Sequence, residues 1–164
     1  MLDAAIVTNC YTNPMTFKQL TEHLVLDCVE NIIADRLTAL CLKRNSYINR
    51  VFEVESQRTK QRYIVKFYRP DRWTKDMIQE EHDFLAYLTK HELPVIAPLQ
   101  FKHKSLFEFD GIYFTVFPKK GGRAISELNQ DQWIQVGRML GRLHQLSSAK
   151  TALSRIRWTP EHAT

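Results

Sequence analysis

A change in hydrophobic spacing near residue 38 constrains the fold of this chain more than any other feature of its sequence. Before this point, apolar residues recur at the spacing of one helix face: Leu20, Leu24, Cys28 and Ile32. After it, three segments have the apolar or alternating character of strands: residues 39–42, 51–55 and 62–68. The chain is therefore predicted to be an α+β protein in which one or two helical segments precede a sheet.

A helix is predicted to interrupt this sheet at residues 74–90, because Thr74 can cap its first turn. Strand character resumes at residues 99–102 and on both sides of Asp110-Gly111, which is a strong two-residue hairpin signal. The two hairpin strands are predicted at residues 105–109 and 112–117. We therefore expect a five-stranded antiparallel sheet with one inserted helix.

A linker is predicted at residues 118–122, which combine a proline, two lysines and two glycines. An amphipathic helix should follow at residues 129–147, with four residues on its apolar side: Trp133, Val136, Leu140 and Leu143. Strands, one helix, a hairpin, a hinge and a further helix follow one another in this order in the N-terminal lobe of kinases. We predict four segments: a leader with helices at 1–38, a kinase-like N-lobe at 39–117, a hinge at 118–128 and the start of a truncated helical C-lobe at 129–164.

Composition excludes several other classes of protein. The net charge of +5 is spread along the chain, so we interpret it as a solvated surface and expect no nucleic-acid partner. Cys10, Cys28 and Cys41 are odd in number and form no CxxC pair, which argues against a zinc site and a disulfide framework. No apolar run approaches the ~20 residues that span a bilayer. A cytoplasmic protein without a metal site or a membrane partner is expected.

Lys66 is the first residue that points to chemistry, because it lies in the almost entirely apolar strand YIVKFY. A lysine there can be an edge-strand residue whose side chain reaches water. Alternatively, its ammonium binds a phosphate while a carboxylate holds it in place. The predicted helix offers that carboxylate, since Glu81 follows Ile78 by three residues and precedes Leu85 by four, on the apolar side. Kinases hold the phosphates of ATP with such a lysine and glutamate, and an ordinary buried ion pair is the alternative.

The loop between the first two strands, residues 44–50, is polar and contains no glycine. It matches neither the G-x-G-x-x-G pattern nor the Walker A pattern. Ser46 can offer its hydroxyl or amide to a phosphate, although the pattern by itself favours a simple turn residue. In a kinase-like lobe, an adenine would lie against the hinge backbone near residues 117–119.

Five strings, in the right order, resemble the stress response kinase A family of bacterial Ser/Thr protein kinases, whose fold is shared with aminoglycoside and choline phosphotransferases. They are residues 45–51 (NSYINRV), 65–74 (VKFYRPDRWT), 80–82 (EEH), 113–123 (YFTVFPKKGGR) and 136–144 (VGRMLGRLH). One departure is Ile48, where the family has glutamate, so the loop lacks one carboxylate.

This resemblance implies an ATP-binding lobe. Lys66 would contact phosphate, Glu81 would orient Lys66, and Ser46 would lie in the phosphate loop. Four residues are implied more weakly, as parts of the loop and the hinge: Asn45, Phe117, Pro118 and Lys119.

The family's catalytic loop and its metal-binding aspartate belong to the C-terminal lobe, and neither has a counterpart here. The segment after His144 has no aspartate, and Glu161 is the only acidic residue in that segment. We therefore expect no phosphoryl transfer by these residues alone, and we expect Mg²⁺ only with a C-lobe. A free-standing nucleotide- or partner-binding module and a gene remnant are the alternatives. An exposed lobe surface could also cause self-association.

Overall fold

The structure, a computed structural model, describes residues 17–156 and residue 159. Cys10, the first part of the predicted leader and Glu161 lie outside the described residues. A short 3₁₀ turn at Phe17–Gln19 precedes three helices and five strands. In chain order these are α1 (Glu22–Ile33), β1 (Leu37–Arg44), β2 (Arg50–Ser56), β3 (Arg62–Phe67), α2 (Lys75–Lys90), β4 (Phe107–Phe109), β5 (Ile112–Pro118) and α3 (Gln130–Ser148).

The strands form one antiparallel sheet in the order β1-β2-β3-β5-β4. The predicted five-stranded α+β lobe is therefore confirmed. The β4–β5 hairpin turns at Asp110 and Gly111, whose φ angles are 48° and 78°. Two successive positive φ values are what a type I′ hairpin turn requires, which is why Asp-Gly marks this turn in the sequence.

The predicted strand at residues 99–102 was wrong. The chain makes only an isolated bridge there, between Phe101 and Lys104, although the Leu99 amide donates to the Val116 carbonyl at 2.8 Å. Lys102 and His103 have φ angles of 50° and 62°, so the chain turns before a ladder can form. The five strands of the sheet, β1 to β5, therefore do not include this segment.

One face of the sheet carries the main core. Val25 and Val29 of α1 are fully buried in it, and the Phe67 and Phe114 rings stack with their centroids 5.0 Å apart. The sheet contributes eight buried side chains to this core: Leu37, Phe52, Val54, Val65, Phe67, Ile112, Phe114 and Val116. Burial of each large apolar side chain contributes about 1.5–3 kcal/mol, so this face accounts for most of the lobe's stability.

The opposite face carries the residues of interest, because successive side chains of a strand point to opposite sides. Register places Val51, Lys66 and Thr115 in one row across β2, β3 and β5. The next row contains Glu53, Ile64 and Phe117. We call this surface, defined by these six residues, the cleft face.

Side-chain caps fix where the helices begin. Thr21 and Thr74 accept the amides of Leu24 and Met77, and Asn129 forms a reciprocal capping box with Gln132. The predicted helices at 74–90 and 129–147 are therefore present to within a residue. In the described part of the chain, no helix is long and apolar enough to cross a membrane.

Candidate functional site

Lys66 lies on the cleft face with its side chain 23% exposed. Its Nζ is 3.5 Å from Oε1 of Glu81 and 4.3 Å from the centre of the Tyr68 ring. A carboxylate and an aromatic face are both favourable partners for an ammonium group. The strand lysine and the helix glutamate that the sequence suggested are therefore brought together, with the lysine still open to solvent.

Glu81 holds a second cation that sequence reasoning did not identify. Arg155 donates to Oε2 at 3.0 Å, while Lys66 approaches Oε1, so the carboxylate bridges two cations. The Arg155 guanidinium also lies 5.4 Å from the centre of the Trp73 ring. These charges sum to one net positive charge, which suits a phosphate. Ion pairs this exposed contribute only about 0–1 kcal/mol, so stability alone does not account for the arrangement.

The neighbouring Glu80 carboxylate faces the segment after α3. It accepts the Leu153 amide at 2.6 Å and the Ser154 amide at 3.1 Å. Adjacent glutamates of α2 therefore have separate tasks, as their helical positions imply. Glu80 anchors the returning chain, and Glu81 pairs with Lys66.

A buried polar chain fixes α2 against the sheet beside this pair. His82 Nε2 is 2.9 Å from the Tyr68 hydroxyl, and its Nδ1 is 2.9 Å from the Ser105 hydroxyl. Thr115 in turn donates to the Ser105 carbonyl at 2.7 Å. Burial lowers the pKa of His82 to about 4, so the ring is neutral at ordinary pH. These hydrogen bonds hold α2 against β5 and the residue that follows β3, next to Lys66 and Glu81.

The predicted phosphate loop connects β1 to β2. Asn45 and Ser46 are exposed, and Ile48 is half-buried. Asn49 Oδ1 accepts the Arg69 amide at 3.2 Å, which attaches the loop to the end of β3. Within residues 44–50, all of which the structure describes, no φ angle is positive. The loop therefore turns without any conformation that requires glycine, which explains why it lacks a glycine pattern.

The predicted hinge residues continue from the cleft face. Phe117 lies opposite Ile64, and Pro118 lies opposite Tyr63 at the end of β5. The Lys119 amide donates to the Arg62 carbonyl at 3.2 Å. The Lys119 side chain folds back onto the sheet, where Nζ is 2.6 Å from Oε1 of Glu53.

Glu53 is the second feature that sequence reasoning missed. Its side chain is only 1% exposed and is bound by Arg44, Arg62 and Lys119. Burial alone would raise the pKa of Glu53, but hydrogen bonds from Lys119, Arg44 and Arg62 outweigh it and lower the pKa to about 2. The signal available in the sequence was an acidic residue in the middle of the apolar strand RVFEVES.

The two described cysteines, Cys28 and Cys41, are free. Burial is the main cause that raises the pKa of Cys28 to about 12 and that of Cys41 to about 11. Both thiols are therefore protonated and unreactive at ordinary pH. Across residues 17–156 and 159, no group of three or more His, Cys, Asp or Glu side chains is placed to hold a metal ion.

The fold and the paired Lys66 and Glu81 define the chain as a kinase-like N-terminal lobe. Two solved structures share this fold. Amicoumacin kinase hAmiN, in complex with AMP-PNP, Ca²⁺ and Ami, superposes with a TM-score of 0.66 at 20% identity over 82% of this chain and 42% of the kinase. A microcompartment-associated aminopropanol kinase superposes with a TM-score of 0.63 at 21% identity over 84% of this chain and 46% of that protein.

The chain belongs to the APH phosphotransferase enzyme family, whose model matches residues 42–164. It is homologous to stress response kinase A of Escherichia coli strain K12, with 50% identity over 101 residues, which are 62% of this chain and 30% of that kinase. It is also 43% identical over 136 residues to the serine/threonine protein kinase RdoA of Salmonella typhimurium, across 81% of this chain and 40% of RdoA. The chain therefore spans less than half the length of these curated relatives.

Proposed function

We propose that this chain is the ATP-binding lobe of a Ser/Thr protein kinase of the stress response kinase A type. With its catalytic lobe, the kinase would transfer the γ-phosphate of ATP to hydroxyl groups of proteins in the cytoplasm. The observation that carries the proposal is the Lys66–Glu81 pair: its lysine lies on the same sheet face as Phe117 and opposite Val51, the first residue after the phosphate loop.

The cleft face suits the two ends of ATP. Ile64 and Phe117 offer an apolar surface next to the hinge, where a base can lie. One register row away, Lys66 offers its ammonium to the phosphates, and Glu81 with Arg155 fixes its position. Ser46 and Asn45 lie in the exposed loop that we propose covers those phosphates.

The Glu81 and Glu53 carboxylates do not fit a magnesium ion, which binds free hard oxygen ligands. Glu81 is occupied by Lys66 and Arg155, and Glu53 by three cations. ATP-bound Mg²⁺ would need ligands from a C-lobe, as would the base that receives the substrate proton. We therefore propose that this chain alone transfers no phosphate. We also propose that the chain divides into four segments, with boundaries after residues 38, 117 and 128.

The direct test is calorimetric titration of the chain with ATP, comparing Lys66→Ala with Lys90→Ala. Both changes remove one lysine charge from the surface, but Lys90 lies in the last turn of α2, away from the cleft face. We expect ATP affinity to fall at least about tenfold in Lys66→Ala, the scale of a charge-assisted hydrogen bond, and to be unchanged in Lys90→Ala. Equal effects of the two changes, or no binding by the unmodified chain, would overturn the proposal.

A second candidate is a module that binds nucleotide or a partner without catalysis. The exposed apolar side chains of α3, among them Trp133 and Leu140, favour a docking role or self-association. Sedimentation measurements over a range of concentrations distinguish a self-associating lobe from a monomer.

The proposed inactivity has its own test. Radiolabelled phosphate transfer to protein by this chain alone would contradict it.

A further inference from the structure

Glu53 has more cationic partners than its burial requires. Oε2 is bound by Arg44, and Oε1 is bound by Arg62 at 2.8 Å, so both oxygens are already satisfied by residues of the sheet. Lys119 adds a third cation, at 2.6 Å from Oε1. Lys119 is also the partner that lies outside the strands, immediately after β5.

We propose that Glu53 is a positioning residue for the hinge: it holds the Lys119 side chain on the cleft face and thereby fixes the main chain of residues 117–119 where a nucleotide base would bind. This inference rests on the proposed function of the chain. In this inference Lys119 does not contact the nucleotide directly, because its ammonium binds Glu53.

The hinge backbone then has a defined chemistry. Pro118 has no amide hydrogen, and the Lys119 amide is already bonded to the Arg62 carbonyl. Residues 118 and 119 can therefore offer only carbonyl oxygens to a base. Those acceptors match the exocyclic amino group of adenine, whereas guanine has a carbonyl at the equivalent position. A hinge held in place should therefore favour adenine over guanine.

Glu53 also suits this role because its charge is constant. Hydrogen bonds from three cations lower its pKa to about 2, so the carboxylate is ionised at neutral pH. The Glu53 contacts link β1, β2 and β3 to the residue that follows β5. The position of the hinge is thus tied to the sheet itself.

The test compares Lys119→Met with Lys120→Met in the whole chain. Each change removes one lysine from the hinge segment and leaves an unbranched apolar side chain, but Lys119 binds Glu53 whereas Lys120 is exposed. Calorimetry would measure the affinities for ATP, GTP and inorganic tripolyphosphate. The last ligand reports on the phosphate end of the site alone.

For Lys119→Met we expect ATP affinity to fall about fivefold, the size of one lost hydrogen bond, and the preference for ATP over GTP to shrink. Its tripolyphosphate affinity should be unchanged, and Lys119→Arg should restore ATP affinity. Lys120→Met should leave ATP affinity and base preference unchanged. Equal effects of Lys119→Met and Lys120→Met on ATP binding, or no effect of Lys119→Met, would overturn the inference.

Hydrogen exchange of the residue 119 amide, measured without nucleotide, separates this inference from the proposed function. We expect that amide to exchange faster in Lys119→Met than in the unmodified chain or in Lys120→Met. If the unmodified chain binds no ATP, the proposed function fails, while the exchange rates still show whether Glu53 holds the hinge. Unchanged exchange in Lys119→Met would contradict the positioning role by itself.

Discussion

Helices α1 and α3 are both amphipathic, but they have very different surroundings. Helix α1 buries Val25, Cys28 and Val29 against the sheet, whereas α3 has no buried residue and leaves Trp133 62% exposed. An apolar helix face stabilises a protein only where another element covers it, at about 1.5–3 kcal/mol for each large side chain. The difference teaches that hydrophobic spacing identifies the apolar side of a helix but not whether anything packs there.

Helix α3 is attached by a few polar contacts from its C-terminal half and from the segment that follows it. Arg142 donates to the His91 carbonyl at 3.2 Å, and the segment after α3 reaches the Glu80 carboxylate. At Gly137 and Gly141, an added Cβ would meet nothing within 4 Å, so no neighbour approaches this side of the helix. We therefore expect α1 to unfold with the sheet and α3 to open on its own.

The largest expected difference is in native-state hydrogen exchange. Amides of β3 and β5 should exchange only through unfolding of the whole lobe, because these strands form the centre of the sheet. Amides of α3 should open with a free energy lower by about 3 kcal/mol or more. Equal protection of α3 and the strands would show that α3 belongs to the same cooperative unit.

A drop in pH should narrow this difference, because it should destabilise the sheet and leave the opening of α3 unchanged. Burial lowers the pKa of His82 to about 4, below its ordinary value of 6.5, so the unfolded chain binds one more proton between these values. The sheet and α2 should therefore lose about 2–3 kcal/mol between pH 6.5 and 4.5, and should be fully stable above that range. Denaturant titrations at several pH values measure the slope of the unfolding free energy against pH.

His82→Gln should remove that slope, whereas His103→Gln, a change at an exposed histidine, should keep it. The pH range stops at 4.5 because Glu53, with its pKa lowered to about 2, begins to contribute below that point. Protection of α3 should not follow the His82 slope, since none of its side chains is buried. A slope that survives His82→Gln would assign the acid sensitivity to another group.

One alanine substitution in each helix should give losses of unfolding free energy that differ by about 2 kcal/mol. Val29→Ala removes two fully buried methyl groups from the core and should cost about 2 kcal/mol of unfolding free energy. Leu140→Ala in α3 should change it by less than about 0.5 kcal/mol, because Leu140 is 48% exposed. Similar losses in the two variants would mean that the apolar side of α3 is covered in solution.

The smallest expected effect concerns the helix caps. Thr21→Ala removes the acceptor for the Leu24 amide and should lower the stability of the whole lobe by about 1 kcal/mol. Asn129→Ala removes the capping box of α3 and should lower its helicity by circular dichroism without moving the denaturation midpoint of the sheet. A shifted midpoint in Asn129→Ala would couple α3 to the sheet.

Much of the fold could be predicted because local signals agreed with one another. The strands, α2 and the Asp110-Gly111 turn each follow from spacing and turn chemistry within a few residues. The segment at residues 99–102 was misread because its apolar and polar residues alternate as they do in a strand. The turn that prevents a strand has positive φ angles at Lys102 and His103, which are residue types that rarely adopt them.

The candidate site divides in the same way. The contact between Lys66 and Glu81 was foreseen because a charge in an apolar strand and one on an apolar helix side each require a partner. Arg155 was missed because it meets Glu81 from 74 positions away, after a helix whose path the sequence does not specify. The Glu53 cluster depends on the joint register of three strands and the hinge, which no single segment encodes.

The row formed by Val51, Lys66 and Thr115 also predicts which changes in length the gene can tolerate. Deleting one codon inside β3 would move Lys66 to the core face and present an apolar neighbour to the cleft, since alternate residues face opposite ways. The polar turn between β2 and β3 can gain or lose residues without reversing any side chain. Insertions and deletions among natural versions of this lobe should therefore accumulate in that turn and spare the strands on either side.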